Sequence, residues 1–174
     1  MTTLPSAALS TIRIRHALAQ ESETVLDILN RATDKLLAKG VKQWIYPWQD
    51  DAIRQGIESG EQFLAVEAEQ VVAVFKFSRQ SSNTAVEAAQ PGNLYLSQLA
   101  LDPLQQNQGV GKSVMEQILR YAVDMGKTLY LDCWAGNTKL KAFYQSCGLE
   151  SLGDFPEENF FITVFRARHF EEIH

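Results

Sequence analysis

Apolar and polar residues alternate where the chain first shows a pattern: over 10–17, "STIRIRHA", Ile12 and Ile14 are interleaved with Arg13 and Arg15, which predicts a short strand. Over 20–39 the spacing changes to three and four through Val25, Ile28, Leu29, Ala32, Leu36 and Leu37, the stripe of an amphipathic helix, and Gly40 supplies a stop. The stretch 41–51, "VKQWIYPWQDD", reads as an aromatic-rich loop through Pro47. Asp50 or Asp51 is placed to cap a short helix that Gly60 closes. Two β-rich runs, 62–68 and 71–78, lie close enough together to predict a hairpin, although Glu69-Gln70 is poor turn chemistry. A polar connector then runs to a Pro-Gly turn signal at 91–92.

The next strand, 93–102, changes phase. Leu94 and Leu96 share one parity, Leu99 and Leu101 the other, and one bulged residue near Ser97 or Gln98 returns all four to one face. A helix follows with the stripe Val110, Val114, Ile118, Ala122 and Met125, ended by Gly126. The strand 127–134 puts Leu129, Leu131 and Cys133 on one face. Asn137 opens a further helix, with Leu140, Phe143, Tyr144 and Cys147 on one side and Gly148 at its end. The run 159–168 is a last strand. The pattern thus yields six strands, with a right-handed parallel crossover over 94–134 inside a mixed sheet. No internal repeat or linker divides the chain, so one domain over 1–174 is expected, with 1–9 flexible.

Composition narrows the chemistry. A chain of 174 residues can bury a core without staples, and a formal net charge of -5 argues against nucleic acid as a partner, since phosphate backbones call for clustered Lys and Arg. Neither a membrane-length apolar run nor a signal-peptide core is visible, so a cytoplasmic location without membrane contact is expected. Cys133 and Cys147 form no CxxC pair and read as small buried hydrophobes. No metal is expected. His16, His169 and His174, near chain ends or strand edges, read as solvated surface residues.

Residues 101–119, "LDPLQQNQGVGKSVMEQIL", carry glycines where strand gives way to helix. Gly111-Lys112-Ser113 matches the end of a Walker loop, but position 106 is Gln where that loop needs glycine. A dinucleotide fingerprint fails because position 114 is Val. What remains is a helix N-terminus whose first N–H groups lack partners and whose glycines admit an anion such as a pyrophosphate. The competing reading is that Gly109 and Gly111 only permit a tight turn.

"QNQGVG", as Gln106-x-x-Gly109-x-Gly111, resembles the acetyl-CoA signature of the GNAT superfamily of N-acetyltransferases, and "LDCWAGNTKLKAFYQSCGLE" resembles that superfamily's second signature. The resemblance runs from about residue 10 to 168, with Gln106 standing for the commoner Arg and Leu149 for the usual Phe. It implies an α/β (α+β mixed) fold. In that fold a twisted, mostly antiparallel sheet of about seven strands is flanked by about four helices, with a splayed parallel strand pair. It implies acetyl-CoA as cofactor, with Gln106, Gln108, Gly109, Val110, Gly111, Lys112 and Ser113 around the pyrophosphate. Leu99, Ala100 and Leu101 would lie along the pantetheine arm, and Asn137, Phe143 and Tyr144 beside it. Tyr144 would be the catalytic acid for the sulfur.

Each role has a competitor: Asn137 as an N-cap, Tyr144 as core, Lys112 as a solvated neighbour. The resemblance implies a primary amine of a small molecule or peptide as acceptor, with Trp44, Trp48, Tyr95 and Ser97 as acceptor-side candidates and Tyr46 in the same aromatic loop. Those aromatics serve equally well to pack the loop on the core. No base stands out. A water relay through Ser97 or Tyr95 is one route, and Glu87, Asp50 and Asp51 are others. A homodimer is compatible with this reading, and a non-catalytic acyl-CoA-binding module with the same fold is its rival.

Overall fold

The sheet sorts its side chains by parity into two unlike faces, and that sorting positions everything else. The computed structural model describes residues 12–40, 47–78, 92–105 and 109–167. Its strands are β1 (Arg13–His16), β2 (Gln62–Glu67), β3 (Gln70–Ser78), β4 (Asn93–Leu101), β5 (Thr128–Trp134), β6 (Leu149–Pro156) and β7 (Phe161–Ala167). Its helices are α1 (Ser22–Ala38), α2 (Asp50–Glu58), α3 (Val110–Asp124) and α4 (Thr138–Ser146). The seven strands form one sheet in the order β1-β2-β3-β4-β5-β7-β6, antiparallel except for β4 and β5.

One face is covered by α3 and α4. Val114, Met115 and Ile118 of α3 and Tyr144 of α4 pack with Phe75, Leu96, Leu129, Leu131 and Phe165. The opposite face is split. Val25, Ile28 and Leu29 of α1 and Ile53 of α2 seal Leu64, Val74 and Ala100, while Tyr95, Tyr130, Ile162 and Val164 form a separate small cluster. The stripe of α3 ends at Ala122; Met125 is exposed because it stands at the C-cap, beyond the last turn facing the sheet.

Two expectations about local structure need correcting. Asp50 and Asp51 lie in the first turn of α2 and do not cap it; Gln49 stands at the N-cap without a side-chain bond. The hairpin turns at Ala68-Glu69, one residue earlier than Glu69-Gln70. Both residues are left-handed (φ 48° and 66°) between the pair Glu67 and Gln70, the geometry of a two-residue primed turn. Neither residue favours it, at about 1 kcal/mol or more each, so the register is imposed by the apolar pairs of β2 and β3.

β6 escaped the pattern reading. It is an edge strand with only Leu149 fully buried, and a bulge at Ser151–Gly153 breaks its alternation. The seven strands that the resemblance implied are present.

The expected bulge in β4 is at Gln98. Val74 pairs with Ala100 and Lys76 with Ser97, so Gln98 and Leu99 together oppose Phe75, with Gln98 left-handed at φ 54°. Leu94, Leu96, Leu99 and Leu101 all reach the same apolar cluster. The parallel ladder runs from Asn93 and Thr128 only to Leu96 and Leu131. Beyond it β4 keeps β3 as far as Leu101, and β5 keeps β7 as far as Trp134. The two strands therefore part at the bulge. Among the described residues no helix is long and apolar enough to cross a membrane.

Candidate active site at the parted strands

The mouth of α3 lies at the open end. Gly109 is its N-cap in the left-handed region (φ 74°), no side chain among the described residues caps the helix, and its first turn holds no acidic residue. The first N–H groups of a helix lack intrahelical acceptors, so this end is a positive, uncapped terminus. Gly111 has a different reason to be glycine. A Cβ there would stand 3.1 Å from Leu101 Cδ1 and 3.4 Å from Phe143 Cζ. The structure thus brings Gly111, Leu101 and Phe143 into one contact, seating the first turn of α3 between β4 and α4. Val110 is buried, Ser113 half-buried and Lys112 exposed. Gln106, Gln108, Trp44, Tyr46, Glu87, His169 and His174 lie outside the described residues.

The connection into α3 is anchored from the other face. Arg31 of α1 donates two hydrogen bonds to buried Asp102, at 2.9 and 3.3 Å, and Asp102 also accepts the Leu104 N–H at 3.0 Å. α4 starts differently from α3: Asn137 Oδ1 accepts the Leu140 N–H at 3.1 Å, so the N-cap reading of Asn137 holds.

Tyr144 is 5% exposed, its ring 5.6 Å from those of Phe143 and Phe165. Burial pushes its phenol well up from the ordinary value, and Cys133, Asp132 and Cys147 add to that. The Cys133 thiol is pushed up to about 12, chiefly by burial, and Cys147 is raised by burial too, so neither is a ready nucleophile.

A carboxylate that the pattern reading passed over stands at the parting point. Asp132 follows Leu131, the last β5 residue paired to β4, and accepts a hydrogen bond from the Tyr95 hydroxyl. Burial raises its pKa above the usual carboxylate range, the Tyr95 bond lowers it and Glu157 raises it again, with a net rise. The signal was available: if Leu129, Leu131 and Cys133 face α3 and α4, then Tyr130, Asp132 and Trp134 face away. Trp134 is 40% exposed. Its indole lies over Gly136, where a Cβ would come within 2.5 Å of the ring.

Tyr95 and Ser97 share the face of Asp132, Tyr95 being 4% exposed. Trp48 is otherwise engaged. Its indole N–H donates to Thr33 Oγ1 at 2.8 Å, its backbone N–H donates to Asn30 Oδ1 at 2.9 Å, and its ring packs on the α1–α2 cluster. Asp50 is paired with Arg54 at 2.6 Å, and His16 stacks on Phe63 with ring centroids 4.2 Å apart.

The fold is thus a mixed sheet opened between two parallel strands, with the N-terminus of α3 at the open end. The chain belongs to the acetyltransferase (GNAT) family, whose model matches residues 24–149. It is an acetyltransferase that depends on acetyl-CoA. The fold is similar to that of a GNAT-family acetyltransferase from Listeria monocytogenes 4b F2365 (19% identity, 89% of this chain and 93% of that one, TM-score 0.74). It is also similar to that of yncA from Salmonella typhimurium, solved with its cofactor acetyl-CoA (16%, 94% and 96%, TM-score 0.68). A third similar fold is the aminoglycoside acetyltransferase AAC(6')-Ib in complex with coenzyme A and kanamycin (12%, 94% and 99%, TM-score 0.75). No curated protein matches the sequence. The residues present fit the cofactor: the α3 mouth offers free amides and no acid to a diphosphate, and the gap leaves the inner edge of β4 beyond Leu96 without a strand partner.

Proposed function

We propose that the protein moves the acetyl group of acetyl-CoA to a primary amine of a small molecule or peptide by direct attack, with the whole chain serving as one cytoplasmic domain. What supports this reading is that Asp132 stands where β4 and β5 part, and that Tyr144 is buried in the apolar cluster of the other face with the Asp132 charge among the causes of its raised phenol. Acetyl-CoA brings a thioester, which supplies an acetyl group already activated for transfer.

The amides from Gln108 to Lys112 would hold the diphosphate at the α3 mouth, the Ser113 N–H, expected there too, donating instead to Gly109 O at 3.3 Å, and Gln106 would support that loop. The backbone of Leu99, Ala100 and Leu101 pairs with the pantetheine arm as an added strand. Asn137 and Phe143 line the arm, Asn137 keeping its cap bond. Asp132 receives the acceptor, with Tyr95 fixing its carboxylate, and takes the proton that nitrogen loses as the N–C bond forms. Tyr144 gives its proton to the departing sulfur. Burial is the main reason its phenol is raised, with smaller additions from Cys133, Asp132 and Cys147, so it is a weak donor for this step. Ser97 lies beside the acceptor and Trp134 at its rim, while Trp48 is held against α1.

Among proteins of similar fold, one is solved with kanamycin and another is a ribosomal-protein-alanine N-acetyltransferase from Brucella melitensis, so the fold itself is compatible with small-molecule and with protein acceptors. A panel of primary amines incubated with acetyl-CoA, read by release of free CoA thiol, tests the reading. Amine-dependent release is expected. Tight acetyl-CoA binding with no release on any amine would make the protein a non-catalytic acyl-CoA-binding module.

A further inference from the structure

The register of four strands places a row of polar side chains across the acceptor face at the level where β4 and β5 part. Gln62 of β2 pairs with Lys76 of β3, and Lys76 pairs with Ser97 of β4. Leu96 is the last β4 residue paired to β5, through Leu131, so Ser97 and Asp132 are the next step on either side of the opening. By parity all four lie on the face opposite α3 and α4, with apolar clusters on both sides: Leu64, Val74 and Ala100 under α1, and Tyr130, Ile162 and Val164 beyond. An apolar sheet face interrupted by one polar row is shaped for a polar ligand.

The row is charged at both ends of its central part. Asp132 carries the negative charge, held by Tyr95. Lys76 carries the positive one, and among the described residues it makes no ion pair. Its aliphatic stem is covered: Cε would lie 3.4 Å from a Cβ on Gly56, so the glycine in α2 is what lets this side chain run beneath the helix. Gln62, 1% exposed, lies in the same place, and its Oε1 is the buried side-chain oxygen without a hydrogen-bond partner among the described residues. Its amide donates to Phe75 O at 3.0 Å. A half-buried cation and an unpaired buried acceptor beside it mark an unfilled polar subsite, since such groups are ordinarily partnered.

We infer that the acceptor is bipolar: an amino compound whose amine sits at Asp132 and whose acidic group, a carboxylate or a similar anion, is held by Lys76 across Ser97. β3 and β5 are two strand spacings apart, about 10 Å, and Lys76 Cε lies beside Gly56 and Gln62 on the β2 side, so the two charges of the acceptor stand about 10 Å apart or somewhat more. This deepens the transfer reading above and rests on it. The bound ammonium first gives one proton to solvent. The neutral nitrogen then loses a second to Asp132 as the N–C bond forms, the C–S bond breaks and sulfur gains the Tyr144 proton. The Asp132 proton returns to Tyr144 through solvent, so that one proton is released in all. The acid group at Lys76 takes no part in bond making.

The test uses matched acceptors: 6-aminohexanoate, 8-aminooctanoate and 10-aminodecanoate, each beside its primary amide, with the full-length protein and saturating acetyl-CoA. The acids are expected to exceed their amides about tenfold in kcat/KM, mainly through KM, as a charge-assisted contact predicts. Lys76→Met is expected to bring each acid down to its amide while leaving the amide rates, acetyl-CoA affinity and melting temperature unchanged, and Lys76→Arg to keep the preference. Turnover with acids and amides equal in the wild type, or Lys76→Met lowering both alike, overturns the bipolar acceptor and leaves amine acetylation standing. No turnover with any of the six while the amine panel releases CoA thiol overturns this inference alone, and no release on the panel or the six overturns the transfer reading with it.

Discussion

The two faces of the sheet at the parting of β4 and β5 differ in kind. Toward α3 and α4 the opening is walled by Leu99, Leu101, Phe143 and buried Tyr144, an almost wholly apolar surface with one hydroxyl. On the other side Ser97, Tyr95, Asp132 and Lys76 interrupt the apolar surface. A sheet ordinarily insulates its faces from each other, because the ladder between strands is closed by hydrogen bonds. Here the parallel ladder ends after four pairs, next to the Gln98 bulge, so the apolar and polar faces meet at one opening. Under the proposed reading, an acid on the apolar face and a base on the polar one act on a substrate lying between them.

The comparison can be broken first at the mouth that both faces share. Gly109→Glu puts a carboxylate and a strained left-handed residue where the diphosphate is to rest. It is expected to lower acetyl-CoA affinity about 100-fold or more, measured by titration calorimetry. Retained affinity would remove the α3 mouth from the cofactor site.

On the acceptor face, Asp132→Asn is expected to lower kcat/KM for amines about 100-fold with acetyl-CoA affinity unchanged. The same variant reports on stability with a definite sign. A carboxylate whose folded pKa is raised binds its proton more readily in the folded state, so between its unfolded and folded values stability falls as pH rises. Near neutral pH the charged Asp132 is therefore a cost, and Asp132→Asn is expected to melt higher than the parent. That gain should disappear below the ordinary carboxylate range. A variant that is less active and also less stable at neutral pH would mean that Asp132 is chiefly structural.

The smallest effect belongs to the apolar face. Tyr144→Phe is expected to reduce kcat about tenfold while sparing cofactor affinity, less than the loss of Asp132 because the raised phenol is already a weak donor. Stopped-flow or steady-state release of CoA thiol measures it. Unchanged turnover at saturating acceptor would leave Tyr144 a packing residue against Phe165.

Much of this was legible along the chain. The phase change between Leu96 and Leu99 announced the bulge, because a period of two permits no other repair. The stripe of α1, that of α3 as far as Ala122, the glycine stops at 40, 126 and 148, and the Asn137 cap were local and held. The failures are equally physical. β6 is an edge strand whose pairing partner, not its own pattern, makes it a strand. Ala68 and Glu69 occupy a turn that neither favours because the strands on either side settle the register. Asp132 reads along the chain as one polar residue in a strand. Its importance depends on where the ladder to β4 stops, which is a property of two strands taken together and of neither alone.

By itself the sequence determined the local elements, the bulge and the glycine-bearing helix mouth, since each follows from periodicity and backbone freedom within a few residues. The tertiary structure alone decided which side chains share the opening. Lys76, Ser97 and Asp132 stand in one row, and Tyr144 lies behind it, because strand pairing converts distant positions into neighbours at a spacing of about 5 Å.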